Sequence, residues 1–391
     1  MPWKGETMEE RRYSFVQRVL KNEQSKSALC REYGISRPTG DKWIGRYLRG
    51  ETMENQSKVP FHTPNRTPAA VEEMIVKLRR KHPAIGAKKL KRMLENQGKS
   101  SPAYSTINAI LHRNGLITKE ASEAATPYKR FEKEAPNDMW QTDFKGHFAM
   151  KNGLRCHPLT VLDDHSRFCL CVDAKENERY AGVKESFLRV FEEYGLPSTL
   201  LCDNGNPWGT SQSVGYTNFE IWLMDLGILV KHGRIRHPQT QGKDERFNGT
   251  LKKELLKYHN FEDFTQAQRL FDEYRNFYNY ERPHHALCLE TPKSRYNKSR
   301  RKLPKIIEEW EYNREFKVRQ VKNSGYITHN GQGYFLSEAF GGKTVGLLES
   351  PGQPHTILVC YRQFCVAKLN VDERIIISRK PFLQSRDNAG E

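Results

Sequence analysis

The sequence predicts a multidomain protein, with all-α helix-turn-helix modules first, then an α/β mixed-sheet core, then a small β-rich C-terminal domain. Three observations carry this expectation. At 391 residues the chain is too long for one compact core. Apolar positions recur at helical spacing up to about residue 117, strands alternate with helices from Asn137, and short strand-like runs fill the tail. Charge is lopsided too: within a formal +17, residues 1–136 hold 27 Lys/Arg against 15 Asp/Glu, so the front is the expected footprint for a polyanion. A mean hydropathy of −0.80 and the lack of a long apolar run argue against a membrane span, which leaves nucleic acid as the expected partner.

Residues 1–55 read as a first helix-turn-helix domain. Glu9–Leu20 has apolar residues at Tyr13, Phe15, Val16, Val19 and Leu20, Ser27–Tyr33 follows, and Gly34-Ile35-Ser36 turns the chain into Arg37–Leu48. Gly34 suits a left-handed corner and Ser36 an N-cap. The last helix of such a motif enters the major groove, so Arg37, Thr39, Lys42 and Arg46 are candidates for reading double-stranded DNA. A helical dimerisation bundle would keep the same core without needing a basic last helix. After a Pro-rich connector, Gln56–Pro68, a second helix-turn-helix-like domain covers 67–117, with helices over Ala69–Lys81, Gly86–Asn96 and Tyr104–Asn114. Lys88 and Lys89 are its DNA-binding candidates, although a lysine run is also an ordinary solvated face. Residues 118–136, small and charged, predict a linker. The opening segment Met1–Ser25 lacks the apolar stretch of a secretory signal, which predicts a cytoplasmic protein whose eight scattered cysteines stay reduced. His284, His285 and Cys288 cluster, yet no second pair stands at a zinc-ligand spacing.

Between 137 and 292 strands and helices follow in a set order. Trp140–Met150, Leu154–Asp163 and Phe168–Ala174 read as three strands. Then come a helix (Arg179–Tyr194), a strand (Thr199–Cys202), a helix (Phe219–Leu226), a strand (Ile228–Lys231) and a helix (Lys243–Tyr258). That is the order of a ribonuclease-H-like core. Thr265–Tyr280 adds another helix. Residues 293–314 then read as a basic linker, since Lys293–Lys305 holds seven Lys/Arg and no acid; Lys298, Arg300 and Arg301 are its candidate phosphate contacts. Residues 315–391 are the β-rich domain, where Asn330-Gly331 signals a hairpin between Tyr326–Thr328 and Gly333–Leu336.

Three acids of the core have no packing reason for their positions. Asp143 lies inside the strand Trp140-Gln141-Thr142-Asp143-Phe144, Asp203 follows the apolar Leu200-Leu201-Cys202, and Glu245 opens the helix after Gly242-Lys243. Carboxylates gathered at a sheet edge need a cation, and a small set of hard oxygen donors suits Mg²⁺. A pair of such ions activates an attacking oxygen and stabilises a leaving one in phosphodiester chemistry. Each acid alone also suits a structural role, Asp203 as a turn former and Glu245 as a helix N-terminal charge.

Four segments together resemble the integrase catalytic core shared by retroviral-type integrases and DDE insertion-sequence transposases. They are Trp140-Gln141-Thr142-Asp143-Phe144-Lys145-Gly146, Val161-Leu162-Asp163-Asp164-His165-Ser166-Arg167, Cys202-Asp203-Asn204-Gly205 and Gln241-Gly242-Lys243-Asp244-Glu245-Arg246-Phe247. Tyr278-Asn279, Arg282-Pro283-His284 and Thr291-Pro292 resemble the segment that closes this core. The paired helical front and β-rich tail are similar to the insertion-sequence branch. The resemblance implies Asp143, Asp203 and Glu245 as the metal-holding catalytic triad, with Mg²⁺ as two ions and Mn²⁺ able to substitute. Lys243 and Arg246, beside Glu245, count with the DNA contacts. The interval from Asp203 to Glu245 exceeds the family's usual spacing, which makes Glu254 a rival for the third position; the excess is expected in the loop Trp208–Tyr216. Asp163 and Asp164, at a strand end, read as structural. The implied activity is hydrolysis at transposon ends and attack of the freed 3′-OH on target DNA, by a homo-oligomer that holds two ends. A ribonuclease-H-type nuclease and a catalytically silent DNA-binding regulator are the competing readings.

Overall fold

The computed structural model describes residues 7–55, 67–117, 133–205, 207–209, 215–233, 242–350, 352–378 and 381–383. Most of the expected connector Gln56–Pro68, most of the linker at 118–136 and the middle of the loop between Trp208 and Tyr216 lie outside the described residues. The chain divides into two compact units, Met1–Arg66 and Thr67–Glu391.

The first unit is trihelical. α1 (Met8–Leu20) starts at a Thr7/Glu10 capping box, α2 (Lys26–Glu32) at Ser25, and α3 (Arg37–Leu48) at Ser36, whose hydroxyl accepts from the Thr39 amide. Gly34 takes the corner at φ +65°. Phe15, Val16, Leu29, Cys30, Trp43 and Met53 close the core.

The second unit begins with α4 (Ala69–Lys81), α5 (Ala87–Asn96) and α6 (Tyr104–Arg113), packed around Ile75, Ile85, Leu90, Leu94, Ile107 and Leu111. These helices dock on the sheet domain. The His82 ring stacks on Phe277 with centroids 4.2 Å apart, and Arg92 Nη2 meets Glu290 Oε1 at 2.5 Å.

The sheet domain contains β1 (Met139–Phe144), β2 (Phe148–Ala149), β3 (Arg155–Asp163), β4 (Cys169–Lys175), α7 (Tyr180–Tyr194), β5 (Thr199–Cys202), α8 (Asn218–Asp225), β6 (Leu229–His232), α9 (Gly242–Glu254) and α10 (Phe264–Asn276). The strand expected over Trp140–Met150 breaks into β1 and the short β2, both paired to β3. β4, β3 and β1 are antiparallel neighbours, while β5 and β6 run parallel to β1 on its other side. One face is covered by α7 and α8 over Trp140, Val161, Leu170 and Leu200, the other by α9 and α10 over Leu162, Cys169 and Val172. Among the described residues no helix is long and apolar enough to cross a membrane, and none of the eight cysteines is in a disulfide.

The segment expected as a basic linker is instead a strap on the sheet domain over its first part. Tyr296 stacks on Phe168 with centroids 4.2 Å apart, the Ser299 amide donates to the Tyr194 carbonyl, and the Leu196 amide donates to that of Arg301, both at 2.8 Å. Charge repulsion within the run is outweighed by these local partners.

The tail holds β7 (Lys317–Gln320), β8 (Tyr326–His329), β9 (Gln332–Phe335), β10 (Thr344–Glu349), β11 (Thr356–Tyr361), β12 (Phe364–Asn370), β13 (Ile375–Ser378) and β14 (Phe382–Leu383). Its main sheet has the order β13-β12-β11-β10-β7, and β8 pairs with β9 across Asn330-Gly331, both at positive φ as the two-residue hairpin requires. The tail shares one apolar core with the sheet domain: Tyr216, Ile221, Met224 and Leu229 pack among Val321, Phe340, Val345, Val359 and Phe364.

Candidate active site

Parallel pairing of β1 with β5 decides which acids meet. Trp140 stands opposite Leu200 and Gln141 opposite Leu201, so carrying the register two residues further sets Asp143 beside Asp203 where both strands end. Burial and then the negative charge of Asp203 push the Asp143 carboxyl up to about 6. Asn248 Nδ2 of α9 donates to Asp143 Oδ2 at 3.1 Å, and the Gly205 amide donates to Asp203 Oδ1 at 2.9 Å.

The third expected acid does not join them in this structure. The inward face of α9 consists of Asp244, Phe247, Asn248 and Leu251, at helical spacing, which leaves Glu245 exposed one residue round the helix. Asp244, which the sequence reading passed over, is fully buried. Its Oδ1 lies 3.4 Å from Thr160 Oγ1, its Oδ2 has no hydrogen-bond partner among the described residues, and burial followed by the Asp143 charge holds its carboxyl well above the usual range. Helical periodicity at 244, 247, 248 and 251 was the signal that could have found it. Among the described residues no three His, Cys, Asp or Glu side chains converge as a metal-binding group.

The other acids are spoken for. Asp163 Oδ1 accepts from the Ser166 amide and Oδ2 from the Asn137 amide, both at 2.7 Å, and Asp164 accepts from Gln141 Nε2 at 2.6 Å and the Lys133 amide at 2.8 Å, as befits structural residues. Glu254, the rival for the third position, is clasped by Arg282, with Nη2 to Oε1 at 2.7 Å and Nε to Oε2 at 2.8 Å. A carboxylate with both oxygens in a buried bidentate pair is an internal counter-ion.

The DNA-contact candidates divide in the same way. Arg37, Lys42, Lys88, Arg246, Lys298 and Arg300 are exposed. Thr39 is half-buried, its hydroxyl 2.8 Å from that of Ser36 in the N-cap. Arg46 is a correction: it is 4% exposed, donates to the Glu54 carbonyl and pairs with Glu51 at 3.3 Å, since its helix turns it inward over Trp43. Lys243 is another, because its ammonium lies 2.5 Å from Asp164 Oδ2 and donates to the Asp164 carbonyl at 2.9 Å. Lys89 is turned toward the sheet domain, where burial and then the Arg282 charge lower it to about 8. Arg301 spends its guanidinium on the carbonyls of Pro197, Leu226 and Gly227 at 2.6–2.9 Å, so it fastens the strap.

Comparison with known proteins meets this geometry at the same residues. The family described as integrase core domain matches residues 133–238, and a second family of that description matches 226–292. The chain carries an integrase core domain. A homeodomain-like domain matches residues 39–111 in front of it. The protein of insertion element IS407 of Burkholderia multivorans is 25% identical over 276 residues, 68% of this chain and 92% of the relative. The protein of insertion element IS476 of Xanthomonas euvesicatoria is 28% identical over 244 residues, 60% of this chain and 67% of the relative. The transposase for insertion sequence element IS904 of Lactococcus lactis is 24% identical over 231 residues, covering 54% and 88%. The catalytic core domain of HTLV-2 integrase, solved with magnesium, aligns with 42% of this chain and 99% of its own at 20% identity and a TM-score of 0.34. Helix-turn-helix front, ribonuclease-H-like integrase core and β-rich tail follow the domain order of insertion-sequence transposases with a retroviral-type integrase core. DNA transposition or integration is the general activity of that architecture.

Proposed function

We propose that the chain is a transposase that binds the double-stranded ends of its mobile element and catalyses divalent-metal-dependent phosphodiester hydrolysis followed by 3′-OH strand transfer into target DNA. The observation that carries this reading is the juxtaposition of Asp143 and Asp203 at the ends of neighbouring parallel strands, where each charge is unfavourable to the other until a cation intervenes. Hard carboxylate donors, together with the buried oxygen of Asp244 that lacks a partner among the described residues, fit Mg²⁺ or Mn²⁺. Asp143, Asp203 and Glu245 would hold such an ion, whose chemistry there would be to activate an attacking oxygen and offset charge on a leaving one.

The residues around the pair orient it. Asn248 fixes the rotation of Asp143 through Oδ2, and the Gly205 amide fixes that of Asp203 through Oδ1. Glu245 stands exposed on α9, beside the buried Asp244, and would have to turn toward the pair with bound DNA and metal to supply the third carboxylate. Arg37, Lys42 and Lys88 offer groove and phosphate contacts from the helical modules, and Arg246, Lys298 and Arg300 offer phosphate contacts from the core and strap. Two element ends held together require a homo-oligomer on DNA.

The test is strand transfer on DNA carrying the element's own ends, with Mg²⁺. Asp143→Asn, Asp203→Asn and Glu245→Gln are each expected to abolish cleavage and joining while end binding and thermal stability persist. Any one of them with wild-type joining is not a member of the triad, and wild-type joining after removal of Mg²⁺ by EDTA would end the metal-dependent reading altogether.

A further inference from the structure

Behind Asp203 runs a partly buried line of polar contacts that sheet pairing does not require. Cys202 of β5 stands opposite His232 of β6, and the His232 ring is turned beneath the loop that follows Cys202. Its Nδ1 donates to the Asp203 carbonyl at 2.7 Å and its Nε2 to Glu220 Oε1 at 2.8 Å. A main-chain carbonyl only accepts, so Nδ1 carries a hydrogen and the contact holds the Asp203 peptide.

The brace is itself held. Glu220 is 4% exposed, and its other oxygen accepts from the Thr217 amide at 2.7 Å and from the Thr217 hydroxyl at 3.0 Å within the capping box of α8. Gly209 leaves room for the ring: a Cβ there would stand 2.9 Å from His232 Cε1. Asn204 Nδ2 ties the same loop to the Gly233 carbonyl at 3.0 Å. A buried glutamate and a partly buried histidine are thus spent on one main-chain carbonyl, and that carbonyl belongs to Asp203.

We infer that His232, braced by Glu220, is a positioning residue for Asp203, fixing the backbone from which that carboxylate presents its oxygens to a divalent cation. The inference rests on the proposed role of Asp203. Histidine–carboxylate pairs behind a metal site commonly act through a ligand's side chain. Here the pair acts through the peptide, so it sets the direction of the carboxylate and leaves its basicity alone.

The experiment measures Mn²⁺ affinity of the full chain by electron paramagnetic resonance without DNA, and strand-transfer kinetics with it. Wild type is compared with His232→Ala, Glu220→Gln and Asp203→Asn. His232→Ala is expected to bind Mn²⁺ about 10- to 100-fold more weakly and to lose kcat by a similar factor at unchanged KM for end DNA. Added imidazole should restore part of both losses, which it would not do for a general loss of packing. Glu220→Gln, which changes no volume, should move the same two quantities in the same direction, and it decides the matter should His232→Ala not fold. Wild-type Mn²⁺ affinity and kcat in either folded variant overturn the inference. Asp203→Asn separates the levels: if it binds Mn²⁺ like wild type, the reading of the site itself has failed, whereas loss there with none in His232→Ala or Glu220→Gln refutes only the positioning role.

Discussion

Replacing Glu254 by Gln removes one charge and almost no volume, and its effect separates a structural ion pair from a metal ligand. Glu254 and Arg282 expose 9% and 7% of their side chains and meet in two hydrogen bonds of 2.7 and 2.8 Å. Burial lowers the Arg282 pKa, the contact with Glu254 outweighs it, and the guanidinium also faces the Tyr278 ring at 5.5 Å. Two opposite charges about 4 Å apart at an effective dielectric of about 20 attract by about 4 kcal/mol. Breaking a buried pair from one side costs about 3–5 kcal/mol, because the remaining charge stays desolvated. Lys89 adds to the cost, since it also faces Arg282 and Glu254. With a urea m-value of about 1–3 kcal/mol/M, Glu254→Gln should lower the midpoint of the transition that includes α9 and α10 by about 1 M or more. Urea unfolding followed by hydrogen exchange in those two helices reads this, and Mn²⁺ affinity of the folded variant should equal that of wild type. An unmoved midpoint combined with lost Mn²⁺ binding would refute the reasoning and return Glu254 to the third ligand position.

Other consequences are as direct. His82 stacks on Phe277, and burial, with the Lys81 charge next, holds it down at about 4. Because the folded value lies below the ordinary 6.5, the stabilisation is complete above pH 6.5 and is lost as pH falls through about 4. His82→Phe keeps the stack and should flatten the fall of the thermal midpoint over that window; His284, held near 2 by burial and Arg282, should leave the remaining acid slope, and an unchanged slope would count against the assignment. Gly195→Ala should cost about 1–3 kcal/mol and open the strap to trypsin, since φ is +81° and the new Cβ would stand 2.6 Å from the Arg301 carbonyl. Arg301→Ala should open the same segment, and a strap as protease-resistant as wild type in both variants would contradict its docking. In gel shifts, Arg37→Ala or Lys42→Ala should weaken cognate-end binding by about 1–3 kcal/mol with little effect on random DNA. Arg46→Ala should instead lower the thermal midpoint of the first helical unit, and the reverse pattern would restore Arg46 to the groove.

Much of the fold was legible because hydrophobic period and turn chemistry agree along the chain. Thr199–Cys202 is a strand with those bounds, and Asn330-Gly331 makes the expected hairpin. Asp143 was legible as an acid inside a strand and Asp203 as one that follows a strand, and parallel pairing brings them together. What escaped depends on partners distant in sequence. Lys243 is a basic residue on a helix, and nothing local says that Asp164 will take it inward. Lys293–Lys305 has the composition of a free segment, yet Tyr296 and Arg301 fasten it to Phe168 and to the carbonyls around Leu226. The Glu220–His232 brace joins a helix to a strand across residues that carry no motif. Asp244 was within reach of periodicity alone, but the neighbouring Glu245 drew attention through its motif.

The apolar core shared by α8, β6 and the tail governs how the protein comes into being on the ribosome. Chains emerge from the amino end, and their units close in that order. The first helical unit completes its interior with Met53, whereas the outer side of α8 waits for Val345, Val359 and Phe364. A nascent chain that has released 314 residues therefore holds Asp143 and Asp203 already, with Ile221, Met224 and Leu229 still wet. A message cut short before those strands are made leaves a contiguous apolar patch on a product that already holds Asp143, Asp203 and Glu245, and such a patch marks the product for aggregation or proteolysis.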